Sequence, residues 1–199
     1  MENSFIPKQQ VGSKVDISSH VEFNSNAEAL AFFQIVKHRL VNVNRWDIIC
    51  KAPSSTFRLV NAKNQEIAGL VNEGDYIKIN VPGPGTKIGE GFDWVNVESI
   101  KEQLVGQLEI LSITVRPSNH PLKSKNETAH FFLSAATSTF QVKREKNKVY
   151  AEVYGRNEVP NNKTRNLFDN IRNTLIGWCA EIGFSYPQWK LLVEGLLSK

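Results

Sequence analysis

The chain has 199 residues, 41% apolar, 22% charged and 10% aromatic, with 12 glycines, eight prolines and a formal charge of +4. Those fractions exclude a disordered, collagenous or coiled-coil chain and fit one folded domain or two small ones. With 24 basic against 20 acidic residues, the balance is too even for phosphate neutralisation to dominate, so nucleic acid is not the expected partner.

Residues 1–14, with Pro7 and Gly12, read as a loose polar lead-in, and 15–199 as a single domain. The start Met-Glu-Asn-Ser-Phe-Ile-Pro-Lys has no basic-then-apolar pattern of a secretory signal, which makes the expected location cytoplasmic. Val15, Ile17, Val21 and Phe23 alternate with polar residues, predicting a first strand interrupted at Ser18-Ser19. Ser25 and Glu28 have capping-box spacing, and Leu30, Phe33, Val36 and Leu40 recur at helical intervals behind them. Lys37, His38 and Arg39 suit the carbonyl end of that helix, which is expected to stop between Leu40 and Val43.

From about residue 55 to 155 the period switches to two. Phe57–Val60 and Ile67–Val71 read as a hairpin; Tyr76–Val81, Phe92–Val97 and Leu108–Val115 read as strands. Thr139–Val142 and Val149–Tyr154 read as a closing hairpin, with the basic run Lys143–Lys148 at its solvated tip. Residues 116–128 read as a loop. A long helix is predicted from about Thr164, carrying Leu167, Ile171, Leu175, Trp178 and Ile182 along one side, with Gly183 at its end. Ser185, Pro187 and Gln188 open a last helix, whose buried stripe is Trp189, Leu192, Val193 and Leu196.

The predicted class is α+β: a curved antiparallel sheet packed against a long C-terminal helix, with an N-terminal helix after the first strand. In element order this resembles the helix-grip fold of the START and polyketide-cyclase-like superfamily, over roughly residues 15–182, with 184–199 as an addition beyond its final helix. The resemblance implies an apolar or aromatic small molecule held between sheet and helix. The competing architecture is a small barrel over residues 55–115 packed against a helical remainder.

Motifs for chemistry are sparse. His20, His38, His120 and His130 are scattered, and Cys50 and Cys179 match no metal or disulfide spacing, so no metal or cofactor is expected. The run Pro82-Gly83-Pro84-Gly85-Thr86-Lys87-Ile88-Gly89-Glu90-Gly91 ends in a strand, not a helix, and lacks a Gly-Lys-Ser/Thr end, so it fails as a phosphate loop. It is expected to be a mobile connection at the rim of the sheet. No nucleophile elbow or spaced carboxylate pair supplies catalytic residues.

The strand parities carry the functional reading. One face collects Ile77, Ile79, Val95, Val97, Leu111, Ile113, Val149, Ala151 and Val153, suited to dry packing. The other collects Tyr76, Lys78, Phe92, Trp94, Asn96, Ser112, Thr114, Tyr150, Glu152 and Tyr154, the mixture of aromatic and hydrogen-bonding groups that clefts use. The expectation is a non-catalytic module for a small, partly apolar ligand, with Tyr76, Trp94, Tyr150 and Tyr154 as contacts. Arg156 and Glu158 join them from the turn before the long helix, and Trp94→Ala is expected to weaken binding while sparing the fold. The alternatives are an enzyme assembled only in space from Arg156, Glu158 or His130, and an oligomeric interaction module. A membrane site is not expected, because no helix pairs a basic face with an exposed apolar one.

Overall fold

The computed structural model describes residues 5–50, 55–123, 127–162, 164, 166–181 and 185–199, and the side chains of 175, 177–181 and 185–187 lie outside that description. Strand β1 (Ser13–Glu22) leads into α1 (Asn26–Val41), a 3-10 turn at Val43–Arg45 and the short α2 (Trp46–Cys50). Six strands follow: β2 (Thr56–Val60), β3 (Tyr76–Asn80), β4 (Asp93–Val105), β5 (Leu108–Pro117), β6 (Thr137–Glu145) and β7 (Lys148–Glu158). Helices α3 (Leu167–Glu181) and α4 (Ser185–Leu196) complete the chain. The strands form one open antiparallel sheet in the order β1-β7-β6-β5-β4-β3-β2. This is the α+β architecture expected from the sequence, and the 55–115 barrel does not form.

Helix α1 starts as its sequence requires. Ser25 is extended, and its Oγ accepts the Glu28 N–H at 3.2 Å. Its buried side is Ala29, Phe32, Phe33, Val36 and Leu40, so Phe33, Val36 and Leu40 lie on the expected stripe, whereas Leu30 faces solvent. α1 and α4 pack on β6, β7 and β1 and cover the aliphatic face, where Ile17, Ile77, Val97, Leu111, Ile113, Val142, Ala151 and Val153 are buried with Leu192, Val193 and Leu196. Trp46 centres this core. Its ring lies 4.6 Å from Phe140 and 5.5 Å from Phe57, and its indole N–H donates to the Leu40 carbonyl at 3.0 Å, so a large apolar body is buried without an orphaned donor. The closing helix on the sheet is thus α4, from residues expected to be an addition beyond the fold. Leu192, Val193 and Leu196 do occupy the predicted stripe.

Three local readings change. The first strand runs unbroken through Ser18-Ser19 and pairs with β7 from Val15 to Glu22. Ile67–Val71 is not a strand: β2 pairs with β3, and the 61–75 connection is held by single bonds such as Val71 N–H to the Val41 carbonyl. β4 continues past Val97 through a bulge before Ser99, which keeps both Val97 and Ile100 on the helix side.

The opposite face is not bare. Ser112, Thr114, Thr139, Gln141 and Glu152 are buried there. The segment before β1 crosses this face: Asn157 Oδ1 accepts the Gln10 and Val11 N–H groups, and Phe5 lies 5.7 Å from the Lys101 ammonium on β4.

Candidate functional site

The connections from β3 to β4, from β5 to β6 and from β7 to α3 gather at one end of the sheet, where β3, β5 and β7 finish and β4 and β6 begin. Beneath α3 they are tied by a buried polar network. Arg172 donates to both Asp93 oxygens, at 3.2 Å from Nη1 and 2.5 Å from Nη2, and its Nε donates to the Pro84 carbonyl at 2.6 Å. Asp169 accepts the Lys87 and Ile88 N–H groups, and the Asn173 amide donates to the Asn161 and His130 carbonyls. Burial raises the Asp93 pKa against the pull of Arg172. This side of α3 is polar. Leu167 and Ile171, expected on its buried stripe, are exposed, while Leu175, Trp178 and Ile182 lie outside the described side chains.

His130 belongs to this network. Its Nδ1 accepts the Phe132 N–H at 3.0 Å, and burial, reinforced by the Arg172 charge, lowers its pKa to about 3. It is neutral in the fold but takes a proton near 6.5 once unfolded. Because the folded value is depressed, His130 costs no stability above pH 6.5 and an increasing amount as pH falls from 6.5 toward about 3. The slope is at most about 1.4 kcal/mol per pH unit. Urea unfolding between pH 7 and 4 is expected to show this slope, and His130→Asn, which retains an acceptor, to flatten it by one proton. An unchanged slope in the variant refutes the assignment.

The glycine-rich loop, expected as a loose connection, is tied down by hydrogen bonds. Thr86 Oγ1 accepts from Gly89 N–H and donates to the Phe92 carbonyl, and Gly91 N–H donates to the Thr86 carbonyl. Gly85 lies so close to the Gly91 backbone that any side chain would collide with it. The N–H groups of Lys87 and Ile88 are spent on Asp169 and those of Gly89, Glu90 and Gly91 within the loop.

On the outer face, this loop builds a corner with β3 and β4. Register places Tyr76 opposite Asn96 and Lys78 opposite Trp94. Tyr76 and Phe92 are half-buried against Val60, Trp94 and Ala129, and the Lys78 ammonium sits 3.9 Å from the centre of the Phe92 ring. Trp94 is buried, its indole N–H donates to the Gly89 carbonyl at 3.0 Å, and the His120 ring lies 4.7 Å from it, centre to centre, at 67°. His120 Nδ1 accepts the Leu122 N–H, leaving Nε2 3.6 Å from the Glu90 carboxylate, which also pairs with Lys123 at 2.9 Å. Burial lowers the His120 pKa, and Lys123 holds that of Glu90 below its usual range.

The other residues singled out from the sequence lie elsewhere. Tyr150 and Tyr154 are on β7, four strands from β3 and so about 19 Å away. Tyr150 packs against His20 at 5.3 Å and the Lys143 ammonium at 4.2 Å. Tyr154 has its pKa raised by burial and by hydrogen-bonded Glu152, which also accepts from Gln141 at 2.6 Å. Arg156 pairs with Asp16 at 2.5 Å rather than with Glu158. The buried Glu158 carboxylate instead fills the space above Gly155, where a β-carbon would overlap it. Tyr76, Trp94, Tyr150, Tyr154 and Arg156 face away from α1 and α4, so they do not stand between sheet and helix. Among the described residues, no group of three or more His, Cys, Asp or Glu could hold a metal ion.

Sequence reasoning leaves Glu90, His120 and Lys123 out of the site. Lys78 and Phe92 share the parity of Tyr76 and Trp94 and are readable from it; the other three come from irregular connections with no periodicity to place them.

No family model matches this chain, and no curated protein does. Among solved structures, a hypothetical protein from Helicobacter pylori is 12% identical at a TM-score of 0.47, covering 92% of this chain and 88% of that one. Ara h 8.0201 is 12% identical at 0.37, covering 94% and 100%. Truncated norcoclaurine synthase from Thalictrum flavum is 10% identical at 0.36, covering 94% and 99%. Overlaps this loose transfer neither activity nor ligand. Among the described residues, no helix is long and apolar enough to cross a membrane.

Proposed function

We propose that this chain is a cytoplasmic, helix-grip-like binding module for a small, partly apolar molecule bearing a negative charge. The site is the corner formed by Tyr76, Lys78 and Phe92 over Trp94. The observation that carries this reading is the Lys78 ammonium, half-buried over the Phe92 ring at 3.9 Å with Tyr76 in the same cluster. A cation lying against an aromatic wall, with Lys123 and His120 close by and Glu90 between them, suits an acid carried on a flat apolar body. The helix-covered face favours this location as well, since its described side chains pack into a continuous buried core.

Titration with the fluorescent probe 1-anilinonaphthalene-8-sulfonate tests the reading. Tyr76→Ala and Lys78→Ala are each expected to weaken probe binding about tenfold, the loss typical of one anchoring contact. Tyr150→Ala, on the far strand, is expected to leave it unchanged. Unaltered binding in the first two variants, or loss in the third, overturns the assignment.

A further inference from the structure

The two edges of the sheet are finished differently. At β2 the edge is closed: the Leu59 N–H donates to Asn44 Oδ1, and the Leu59 carbonyl accepts from the Ile67 N–H, both at 2.8 Å. At β1 it is open. The Phe23 N–H donates to the Asn147 carbonyl, and from there the register with β7 runs in steps of two through Val21, Ser19, Ile17 and Val15. The residues between them, Lys14, Asp16, Ser18, His20 and Glu22, therefore turn their backbone N–H and C=O groups away from β7. Among the described residues, no hydrogen bond outside the β1–β7 ladder reaches those groups, and the residues are exposed.

An open edge is a template for another strand unless something blocks it. Charged side chains commonly do the blocking, but on β1 their order is self-complementary. When β1 is laid antiparallel on a second copy with Ser18 opposite Ser18, Lys14 faces Glu22 and Asp16 faces His20, each twice by symmetry. On the helix-covered side, the same register sets half-buried Val15 against Val21. Facing residues share their parity, so polar and apolar faces continue across the join and the outward backbone groups meet one another. Sliding the copies by two residues one way sets Asp16 against Glu22, and like charges directly opposite are destabilising. Sliding them the other way sets Lys14 against His20 and leaves Glu22 opposite Gly12. Neither offset pairs opposite charges. Asp16 and Glu22 already hold Arg156 and Lys148, whereas Lys14 makes no ion pair among the described residues.

We propose that β1 is the interface of a symmetric dimer, in which two copies join edge to edge in this register to form one continuous antiparallel sheet. β1 lies at the opposite end of the strand order from β3, so the join leaves the ligand corner open and does not depend on it.

Sedimentation equilibrium of the full chain tests this. A reversible monomer–dimer equilibrium in the micromolar range is expected, since edge pairing covers less area than a typical stable interface. Ser18→Pro removes an N–H at the symmetry axis that β7 does not use, so it should abolish the dimer while circular dichroism stays unchanged. Lys14→Glu and Glu22→Lys each set like charges opposite one another twice, and each should weaken the dimer about tenfold. Mixed in equal amounts, these two variants face each other with opposite charges, and association should return to within about threefold of the parent. The mixing result decides even where the proline disturbs the strand. A monomer throughout the millimolar range overturns the proposal. So does a dimer that Ser18→Pro leaves intact in a folded protein, that the charge variants do not weaken, or that mixing does not restore.

Discussion

Asp93→Ala is expected to lower the unfolding free energy by about 3–5 kcal/mol, the cost of leaving a buried ionic partner uncompensated. Both side chains of the Asp93–Arg172 pair are almost wholly buried, at 0% and 2% exposure, so water cannot replace the lost carboxylate. The substitution also strands the Phe131 N–H, which donates to Asp93 Oδ1 at 3.0 Å. Arg172→Ala is expected to cost a similar amount, because it leaves the Asp93 charge in a site where burial already raises its pKa. Asp93→Leu with Arg172→Leu is a different case. It removes both charges at once, and replacing a buried pair by apolar residues is often neutral or better. Urea unfolding of the singles and the double measures the coupling directly. Single substitutions within about 1 kcal/mol of the parent, far below the scale set by buried pairs, would mean that water reaches the pair.

That pair also shows where a sequence stops being legible. Arg172 lies 79 positions from Asp93, and no local pattern joins them. The helical period of α3 reveals two unlike sides; it says nothing about which one the protein covers. By default the apolar side is taken as buried, and here a polar network claims the inner position. Strand faces are easier to read because alternation is a local property: once Ile77 or Val153 is assigned to a side, every second residue of its strand follows. Tyr76, Lys78 and Trp94 therefore fall on one face as expected, and Leu192, Val193 and Leu196 on the buried stripe of α4. Alternation does not fix how many strands separate two residues. The distance of Tyr150 and Tyr154 from Tyr76 depends on the strand order, and hairpin-like runs such as Ile67–Val71 mimic a partner that β3 supplies instead.

Trp94→Ala is expected to cost about 3–5 kcal/mol, the range for truncating a buried large aromatic. The sequence suggests a ligand contact whose removal would spare the fold; burial at 1% exposure reverses that expectation. The indole is the shared anchor of two long connections. Its N–H fixes the Gly89 carbonyl, its ring packs at a steep angle on His120, and the residue's backbone N–H holds the Ala129 carbonyl at 2.8 Å. Truncation would leave a cavity between these connections and take away one of the two donors to the Gly89 carbonyl. Trp94→Phe separates the contributions: it keeps most of the apolar body but leaves the Gly89 carbonyl with the Phe92 N–H as its remaining donor, a loss of about 0.5–1.5 kcal/mol for one hydrogen bond. The phenylalanine variant also parts folding from recognition. With Trp94 acting as the wall behind Tyr76 and Lys78, Trp94→Phe should bind the naphthalene probe within about threefold of the parent despite its lower stability, since the anchoring contacts remain. A stable Trp94→Ala protein would show that the corner is not packed. A Trp94→Phe protein that folds but has lost the probe would move Trp94 from the wall into the site itself.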